Sequence, residues 1–293
     1  MRRRAFFVLA AAAASTTARA QPLMRAIPST GEQLPAIGLG SWITFNVGRD
    51  AKARAECVQV MREFFAAGGR MIDSSPMYGS SQGVIGEGLA ALGAQQRVFS
   101  AEKVWTSGDG MAQLAQTRAE WMLPRFDLLQ VHNLVAWEKQ LPLLFAMKAR
   151  KELRYVGITT SEGRRHGEVE RIMRAHPLDF VQLTYNLVDR SAEERLLPLA
   201  RERGIAVIVN RPFDEGALLR KLQRHPLPAW ARDIDCANWA QFALKYCISH
   251  PAVTCAIPAT SQPAHLRENM GALNGRMPDE AMRKRMAAHL ATL

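Results

Sequence analysis

The sequence predicts an α/β protein of the (β/α)8 barrel type, also called a TIM barrel. Eight short apolar runs without polar alternation recur along the 293 residues, and a segment with helical periodicity follows each of them. Parallel strands covered by helices are buried on both faces, so they need no polar residue at alternate positions. Eight strand–helix units in about 270 residues match the size of a closed barrel. The alternative is an open, doubly wound sheet, which usually has fewer strands and a glycine-rich first turn.

The predicted elements begin with a short hairpin over residues 29–36, whose turn is the Thr-Gly-Glu sequence at 30–32. A strand over residues 37–42 follows it. The next segment predicts a helix, because five apolar residues recur at helical spacing before Gly68 and Gly69 end the pattern. These apolar residues are Cys57, Val60, Met61, Phe64 and Phe65.

Strand and helix then alternate to the end of the chain. The later strands are predicted at residues 70–73, 97–103, 126–131, 153–158, 180–183, 205–209 and 253–257. The helices are predicted at residues 83–92, 111–121, 137–150, 164–175 and 192–203, with a helix-rich segment to residue 250 and two helices after the last strand. Because no linker or low-complexity run divides this pattern, residues 21–293 are expected to form one domain.

The composition argues against two broad classes of protein. An apolar fraction of 48% with 22% charged residues is enough for a buried core and argues against global disorder. The formal net charge is +11, but the arginines are scattered over several predicted helices and form no stripe with interleaved aromatic residues. Nucleic-acid binding is therefore not predicted. A positive field instead favours recruitment of an anionic cofactor or substrate.

Residues 1–20 predict an export signal. Three arginines at 2–4 precede an apolar run at 6–14, and the Ala-Arg-Ala sequence at 18–20 resembles a cleavage site. The apolar run is too short to span a bilayer, so no stable membrane anchor is expected. The Arg-Arg-Ala-Phe-Phe sequence at 3–7 resembles a twin-arginine signal, for which the alternatives are a general secretory signal or a misassigned start codon. The mature protein is accordingly expected to be periplasmic or secreted, or cytoplasmic if the start is misassigned.

Four ionisable side chains lie at the ends of neighbouring predicted strands. Asp73, Lys103 and His132 end strands two, three and four, and Tyr78 lies in the turn after strand two. Because the carboxyl ends of the strands form one face of a barrel, these side chains are expected to converge there. Taken alone, each has an ordinary explanation, such as a capping carboxylate, an amphipathic rim residue or a solvated ion pair of Lys103 with Glu102 or Asp73.

The combination suits proton transfer to a carbonyl oxygen. A free phenol has a pKa of about 10, too high for efficient donation at neutral pH, and an ammonium beside it lowers that pKa. We therefore expect Tyr78 to donate the proton and Lys103 to lower the pKa of Tyr78. Asp73 would keep Lys103 charged and in place, and His132 would hydrogen-bond the carbonyl oxygen. None of these residues carries a hydride, so a nicotinamide cofactor is required.

Several segments occur in the order of one known family. They are the Asp73 and Tyr78 pair with four residues between them, the Ala-Glu-Lys sequence at 101–103, residues 127–132, 153–158, 257–261 and 265–269. On these segments the chain resembles the aldo-keto reductases over nearly all of its length from residue 27. The resemblance implies a barrel closed at its base by the N-terminal hairpin and an extended NADPH over the rim. It also implies a small-molecule aldehyde or ketone as the substrate, reduced to an alcohol, and no metal.

The resemblance further implies which residues bind the cofactor. Ser41 and Trp42 would lie near the nicotinamide or the substrate. The other expected contacts are Thr159, Thr160 and Gln182 at the carboxamide, Asn210, Arg211 and Phe213 at the nicotinamide and pyrophosphate, and Thr260, Ser261, Gln262, His265, Glu268 and Asn269 at the adenosine. Pro263 is suited to the start of a helix, whose N-terminal N–H groups attract an anion.

Three departures from the family pattern affect the cofactor. Ala259 and His265 stand where many members have a lysine and an arginine that bind the 2′-phosphate, which leaves His265 and Arg267 for that role. NADP(H) is still expected over NAD(H). A Thr-Thr pair at 159–160 replaces a Ser-Asn pair, and Arg211 would stack where members commonly have a tyrosine.

Two other functions stay open from the sequence. One is a barrel that binds a nucleotide as a sensor or scaffold with negligible turnover, against which the complete set of four ionisable residues argues. The other is a lyase that forms a Schiff base on Lys103. Glu102 and Asp73 would keep that amine protonated, which disfavours its attack on a carbonyl.

Overall fold

The computed structural model describes residues 22–293, so the predicted signal at residues 1–20 lies outside the described part of the chain. Within it, strands and helices alternate. The strands are β1 (Met24–Ala26), β2 (Gln33–Pro35), β3 (Leu39–Gly40), β4 (Met71–Asp73), β5 (Phe99–Val104), β6 (Phe126–Val131), β7 (Leu153–Thr159), β8 (Phe180–Thr184), β9 (Ala206–Asn210) and β10 (Val253–Ala256). The helices are α1 (Ala51–Ala66), α2 (Ser81–Leu92), α3 (Gly110–Trp121), α4 (Trp137–Ala149), α5 (His166–Ala175), α6 (Leu196–Arg203), α7 (Ala217–Leu222), α8 (Trp239–Ile248), α9 (Pro263–Gly271) and α10 (Glu280–Leu290).

Strands β3 to β10 form one parallel sheet in chain order. The two outer edges of this sheet also meet, because the Gly38 N–H donates to Ala256 O at 2.8 Å and the Ala256 N–H donates to Ala36 O at 2.9 Å. These hydrogen bonds hold the curled sheet closed. The prediction of an α/β fold with eight parallel strands is confirmed, and the open-sheet alternative is wrong.

Two apolar layers hold the sheet in place. Inside it, the rings of Phe99, Tyr155 and Phe180 pack with centroids 5.4 to 6.2 Å apart. Outside it, the helices bury a second and larger set of side chains. Each such side chain contributes about 1.5–3 kcal/mol relative to an exposed one. Both faces of the strands are therefore buried, which explains why the apolar runs of the sequence do not alternate with polar residues.

Helix α1 shows how local sequence determines an element. The Asp50 carboxylate accepts hydrogen bonds from the Lys52 and Ala53 N–H groups at 2.9 and 3.0 Å, which caps the first turn. The five apolar residues predicted to share one face are all buried. Gly68 follows the helix with a φ of 84°, a conformation that favours glycine. None of the helices in residues 22–293 is both long and apolar enough to cross a membrane.

A two-stranded hairpin precedes the parallel sheet. Strands β1 and β2 pair antiparallel, with Met24 opposite Pro35 and Ala26 opposite Gln33. The predicted span of 29–36 therefore contains the turn and β2 but not β1. The first strand was not predicted because only one of its three residues is even half-buried, so no apolar pattern marks it.

Helix α6 begins four residues later than predicted, at Leu196 instead of Ala192. Pro198 explains the difference. In a helix that ran through residue 194, its ring would clash with the carbonyl of that residue, and it has no N–H to donate. In the first turn of a helix no such donor is needed, so the helix starts just before the proline.

Candidate active site

Strand ends bring the four predicted ionisable residues to one place. Asp73 is the last residue of β4, Lys103 lies near the end of β5 and His132 follows β6 directly. Tyr78 ends a short 3₁₀ turn after β4. Asp73, Tyr78 and His132 line a cavity of about 770 Å³ at this end of the sheet, whereas Lys103 is fully buried behind its wall.

Lys103 and Asp73 form a buried ion pair. Lys103 Nζ donates to Asp73 Oδ1 at 2.5 Å and to Ser74 O at 2.7 Å. The second carboxylate oxygen accepts from Gln182 Nε2 at 2.9 Å and from Gln130 Nε2 at 3.4 Å. Burial acts to lower the pKa of Lys103, but the negative charges of Asp73, Tyr78 and Glu102 and the hydrogen bond to Asp73 together outweigh it, so the pKa is raised and the amine stays an ammonium.

Tyr78 lies next to this ammonium. Lys103 Nζ is 5.2 Å from the centroid of the Tyr78 ring. Burial raises the pKa of Tyr78, and the positive charge of Lys103 opposes the increase without cancelling it. The expected net lowering of this pKa is therefore wrong, because removal of the phenolate from water costs more free energy than the nearby charge returns. Tyr78 is held in its protonated form, as a proton donor must be.

His132 is a buried, neutral imidazole. Burial, together with the charge of Lys103, lowers the pKa of His132 to about 2. Its Nδ1 lies 2.7 Å from Ser75 Oγ, and its ring meets the Tyr78 ring edge-on with centroids 5.6 Å apart. A neutral imidazole carries one N–H, so His132 can hydrogen-bond a carbonyl oxygen without transferring a proton to it.

Local sequence shapes the turn that carries Tyr78. Ser75 Oγ accepts from the Met77 N–H at 3.2 Å, and Pro76 occupies the first position of the 3₁₀ turn, where no N–H is needed. The Tyr78 N–H closes the turn onto Ser75 O at 2.9 Å. Gly79 follows with a φ of 59°, and a Cβ there would lie 2.3 Å from Asn46 Oδ1. Ser75, Pro76 and Gly79 therefore each constrain the backbone of the turn that carries Tyr78.

Glu102 faces away from the cavity. Side chains alternate along a strand, so Glu102 points outward where Lys103 points inward. Its carboxylate accepts from Trp121 Nε1 at 2.6 Å and from Gln82 Nε2 at 2.9 Å, and burial raises its pKa to about 7. The alternative that Lys103 is a solvated ion pair is wrong, because Lys103 is fully buried and its side-chain partner is Asp73.

The cavity runs from Asp73, Tyr78 and His132 to helix α9. Most of the predicted cofactor contacts line it, namely Ser41, Trp42, Thr159, Gln182, Asn210, Arg211, Phe213, Thr260, His265, Glu268 and Asn269. Three do not: Thr160, Ser261 and Gln262. Thr160 is buried and its hydroxyl bonds to the Glu162 backbone at 3.2 Å, which turns it into the loop. Ser261 and Gln262 are exposed.

Hydrogen bonds and an ion pair with neighbouring groups already hold two of these side chains. The Asn210 amide accepts from Thr184 Oγ1 at 2.8 Å and donates to Thr160 O at 3.0 Å. Arg211 donates to Ser161 O at 3.1 Å and pairs with Glu215 at 3.0 Å. These contacts fix both side chains at the cavity wall. A rigid wall lowers the entropy cost of binding an extended ligand.

Arg267 does not lie at the cavity, where binding of a 2′-phosphate would require it. Its guanidinium pairs with Glu63 of α1 at 3.1 Å, and it does not line the cavity. His265, at the start of α9, does line it. Of the two residues considered for a 2′-phosphate, the structure therefore places only His265 at the cavity.

Sequence reasoning missed part of the cavity wall. The missed residues include Ile43, Asn133, Leu219, Gln223, Asn238 and Trp239. Asn133 follows His132 and has a φ of 48°, unusual for a residue with a side chain. Its N–H donates to Thr159 Oγ1 at 2.9 Å. This contact joins the ends of two strands, and no local sequence pattern predicts it. In residues 22–293, no group of three His, Cys, Asp or Glu side chains is arranged to hold a metal ion.

Comparison with known proteins agrees with this geometry. The model of the Aldo/keto reductase family matches residues 36–289. The methylglyoxal reductase YeaE of Escherichia coli is 28% identical over 252 residues, which cover 82% of this chain and 86% of that protein. The NADH-specific methylglyoxal reductase of the same organism is 24% identical, over 87% of this chain and 95% of that protein.

Solved structures show the same fold. An aldo/keto reductase from Klebsiella pneumoniae, crystallised with NADP and acetate, superposes with a TM-score of 0.76 and 22% sequence identity over 91% of this chain and 95% of its own. The thermostable aldo-keto reductase Tm1743, crystallised with the inhibitor epalrestat, superposes with a TM-score of 0.75 and 24% identity over 91% and 99% of the two chains.

Proposed function

The chain belongs to the aldo/keto reductase family and is an NAD(P)H-dependent oxidoreductase, and we propose that it reduces an aldehyde or ketone with Tyr78 as the general acid. The observation that carries this assignment is the buried ion pair of Lys103 and Asp73 beside a protonated phenol. Lys103 Nζ lies 2.5 Å from Asp73 Oδ1 and 5.2 Å from the Tyr78 ring. A positive charge in that position stabilises the phenolate that forms when the phenol gives up its proton.

Each of the four ionisable residues has its own role in the reaction. Tyr78 donates its proton to the carbonyl oxygen, and the Lys103 ammonium stabilises the phenolate that remains. His132, neutral and 5.6 Å from Tyr78 between ring centroids, donates a hydrogen bond to the same oxygen and orients it. Asp73 holds the ammonium in place. When bound, the nicotinamide supplies the hydride that reaches the carbonyl carbon.

The cavity supports an extended dinucleotide. It connects the ionisable residues at β4 to β6 with helix α9, where His265, Glu268 and Asn269 line it. Helix N-termini attract phosphate groups, and the His265 imidazole in the first turn of α9 carries an N–H that can donate to one. We propose NADP(H) over NAD(H) on this basis. The NADP complex of the Klebsiella relative supports the choice, and the NADH-specific Escherichia coli relative makes it a question for measurement.

Small reactive aldehydes are the first substrates to test. Two relatives are named methylglyoxal reductases, and we propose methylglyoxal and similar short carbonyl compounds as substrates of this chain. The mouth of the cavity is also apolar, since the exposed side chains of Trp42, Ile43 and Met77 line it. Aromatic and aliphatic aldehydes therefore belong in the same panel. No nucleic-acid partner is proposed.

We further propose that the N-terminal hairpin closes the base of the barrel. Ile27 and Leu34 belong to the same buried cluster as Phe99, Tyr155 and Phe180 inside the sheet. The Tyr155 hydroxyl donates to the Glu32 carboxylate at 2.8 Å, and Glu32 also pairs with Arg154. These contacts support a plug at the end of the sheet opposite to the cavity.

Residues 21–293 are proposed to be a single domain and residues 1–20 a twin-arginine signal. On that proposal the protein folds with its cofactor in the cytoplasm and then becomes periplasmic or secreted. The test replaces both Arg3 and Arg4 by lysine and locates the protein by cell fractionation. A general secretory signal tolerates lysine, because the replacement keeps the positive charge. Unchanged export would therefore contradict the twin-arginine route.

One experiment tests the reductase assignment as a whole. The purified protein is titrated with NADPH and with NADH, and turnover is then measured on a panel of aldehydes and ketones that includes methylglyoxal. Micromolar nucleotide binding together with turnover of a carbonyl compound is the expected result. A protein that binds neither nucleotide would refute the assignment. Tight binding without turnover of any carbonyl would point to a nucleotide sensor.

A further inference from the structure

We propose that Ser75 is a positioning residue that sets the tautomer of His132, so that the ring proton is on Nε2, the nitrogen left to face the cavity. The inference rests on the proposed function, because it specifies how His132 donates to a carbonyl oxygen. Neither the sequence pattern nor the family match assigns a role to Ser75.

The contact that carries the inference is short and buried. Ser75 Oγ lies 2.7 Å from His132 Nδ1, and the two residues are 0% and 5% exposed. Ser75 Oγ also accepts a hydrogen bond from the Met77 N–H at 3.2 Å. The hydroxyl therefore has two hydrogen-bond partners, and one of them, the Met77 N–H, can only donate. This restricts the role of the other partner, His132 Nδ1.

The single hydrogen of the hydroxyl decides the tautomer. A serine hydroxyl has one hydrogen and two lone pairs, and the Met77 N–H occupies one lone pair. If Ser75 Oγ donates to Nδ1, both groups are satisfied and the ring proton must be on Nε2. In the opposite tautomer Nδ1–H would donate to the hydroxyl, whose own hydrogen would then find no acceptor among residues 22–293. A buried donor without a partner is costly, so the first arrangement is the more stable one.

The tautomer of His132 matters because its imidazole is neutral and carries only one ring proton. A cationic imidazole donates from both nitrogens, whereas a neutral one donates from only one of them. Burial and the charge of Lys103 hold the pKa of His132 far below its ordinary value, so His132 is neutral. Its Nε2 has no hydrogen-bond partner within the described residues, and the His132 ring lines the cavity. The nitrogen opposite Ser75 is thus the one available to a carbonyl oxygen.

Ser75 also ties His132 to the proton donor. Its carbonyl oxygen accepts from the Tyr78 N–H at 2.9 Å, and its hydroxyl caps the turn between them. One residue therefore holds the backbone of Tyr78 and the ring of His132, the two groups proposed to meet the same carbonyl oxygen.

The direct test reads the tautomer in the wild-type protein. The full chain is labelled with ¹⁵N-histidine, and two-bond ¹H–¹⁵N correlation spectra are recorded with and without NADP⁺. The His132→Gln variant assigns the signal among the seven histidines of the chain. We expect a protonated, pyrrole-type Nε2 and an unprotonated, pyridine-type Nδ1. The opposite pattern would overturn the inference, and this readout does not require turnover, so it is independent of whether the reductase assignment holds.

Variants test whether the contact causes the tautomer. Ser75→Ala is expected to give a mixture of tautomers and to lower kcat about tenfold, the effect of one ordinary hydrogen bond, with the Kd for NADPH unchanged. Ser75→Thr keeps a hydroxyl and is expected to restore both the tautomer and kcat. The matched control is Ser100→Ala, which removes a buried hydroxyl near the start of β5, at the end of that strand opposite to Lys103. It should alter neither the tautomer nor kcat.

Two results with these variants would also refute the role. One is a Ser75→Ala protein with wild-type kcat. The other is a loss of kcat while Nε2 stays fully protonated, which would assign the effect of Ser75 to the turn instead of the imidazole. If Ser75→Ala does not fold, the wild-type spectrum still decides.

Discussion

Lys103 Nζ donates to Asp73 Oδ1 across 2.5 Å, with both side chains shielded from solvent. The ammonium therefore does not contact the cavity through which a substrate would enter. Its charge acts instead on two groups that line the cavity, Tyr78, whose ring centroid is 5.2 Å from Lys103 Nζ, and His132, whose pKa it helps to lower. The group that donates the proton is thus separate from the charges that affect its pKa, and each can be tested by its own variant.

Tyr78→Phe should remove the proton donor and leave nucleotide binding intact. We expect kcat to fall by about 10²- to 10⁴-fold, the usual contribution of a general acid, while the Kd for NADPH stays within about twofold. Steady-state kinetics and a fluorescence titration measure the two quantities. Tyr246→Phe, which removes a hydroxyl bonded to Glu193 at 3.2 Å outside the cavity, is the control. A Tyr78→Phe enzyme with full activity would exclude Tyr78 as the acid.

Asp73→Asn should destabilise the fold by leaving the Lys103 ammonium without its counter-charge. Loss of one partner of a buried pair costs about 3–5 kcal/mol, and we expect a decrease of that size in the free energy of unfolding in urea. The double variant Asp73→Asn/Lys103→Met removes the unpaired charge and should be more stable than the single one. Glu280→Gln breaks the exposed pair with Lys284 and should cause no measurable change. A single variant as stable as the wild type would contradict the importance of the buried pair.

Glu102 should make stability depend on pH near neutrality. Burial raises the pKa of Glu102 from its ordinary 4.5 to about 7, so the folded state binds this proton more tightly than the unfolded state. The contribution to stability is therefore full below pH 4.5 and is lost as the pH rises through 7, by about 3 kcal/mol in total. Glu102→Gln should remove this part of the profile in urea unfolding between pH 4.5 and 8.

The Glu102 prediction has a matched control on the same side of the sheet. Glu120→Gln changes an exposed carboxylate of α3 and should leave the pH profile as it is. Equal pH dependence in the Glu102→Gln and wild-type proteins would show that Glu102 keeps an ordinary pKa. It would then be ionised in the fold and stabilised by its bonds to Trp121 and Gln82.

His132 should stay neutral through the physiological range. Its pKa is lowered from 6.5 to about 2, so the stability that its neutral form contributes is present above pH 6.5 and is lost as the pH falls below it. Histidine NMR should show no titration of His132 between pH 5 and 8. His132→Gln should be less sensitive to acid than the wild type. A His132 signal with an inflection near pH 6.5 would contradict its burial.

His265 should discriminate between the two nucleotides. Because His265 lines the cavity at α9, His265→Ala is expected to weaken NADPH binding about tenfold, the scale of one hydrogen bond to a charged group, and to leave NADH binding unchanged. Isothermal titration gives both Kd values. Arg267→Ala is the control, because Arg267 pairs with Glu63 away from the cavity and should matter for neither nucleotide. Equal loss for NADPH and NADH would mean that His265 does not contact a 2′-phosphate.

Much of the architecture could be predicted from the sequence alone. Buried parallel strands leave a strong local signal, since both faces require apolar residues, and each strand end is where a polar residue can first reach solvent or ligand. Asp73, Lys103 and His132 could thus be assigned to one face of the barrel from their positions after apolar runs. The cofactor-contact residues came instead from the resemblance to the aldo-keto reductases, and eleven of those fourteen residues line the cavity.

What the sequence by itself determined is which residues stand at the strand ends; the tertiary structure decided what each of them touches. The bonds of His132 to Ser75 and of Asp73 to Gln182 join positions 57 and 109 residues apart, and no local pattern encodes them. The raised pKa of Tyr78 was likewise not predictable, because loss of hydration depends on every group packed around the phenol, whereas the sequence shows only the nearby charge.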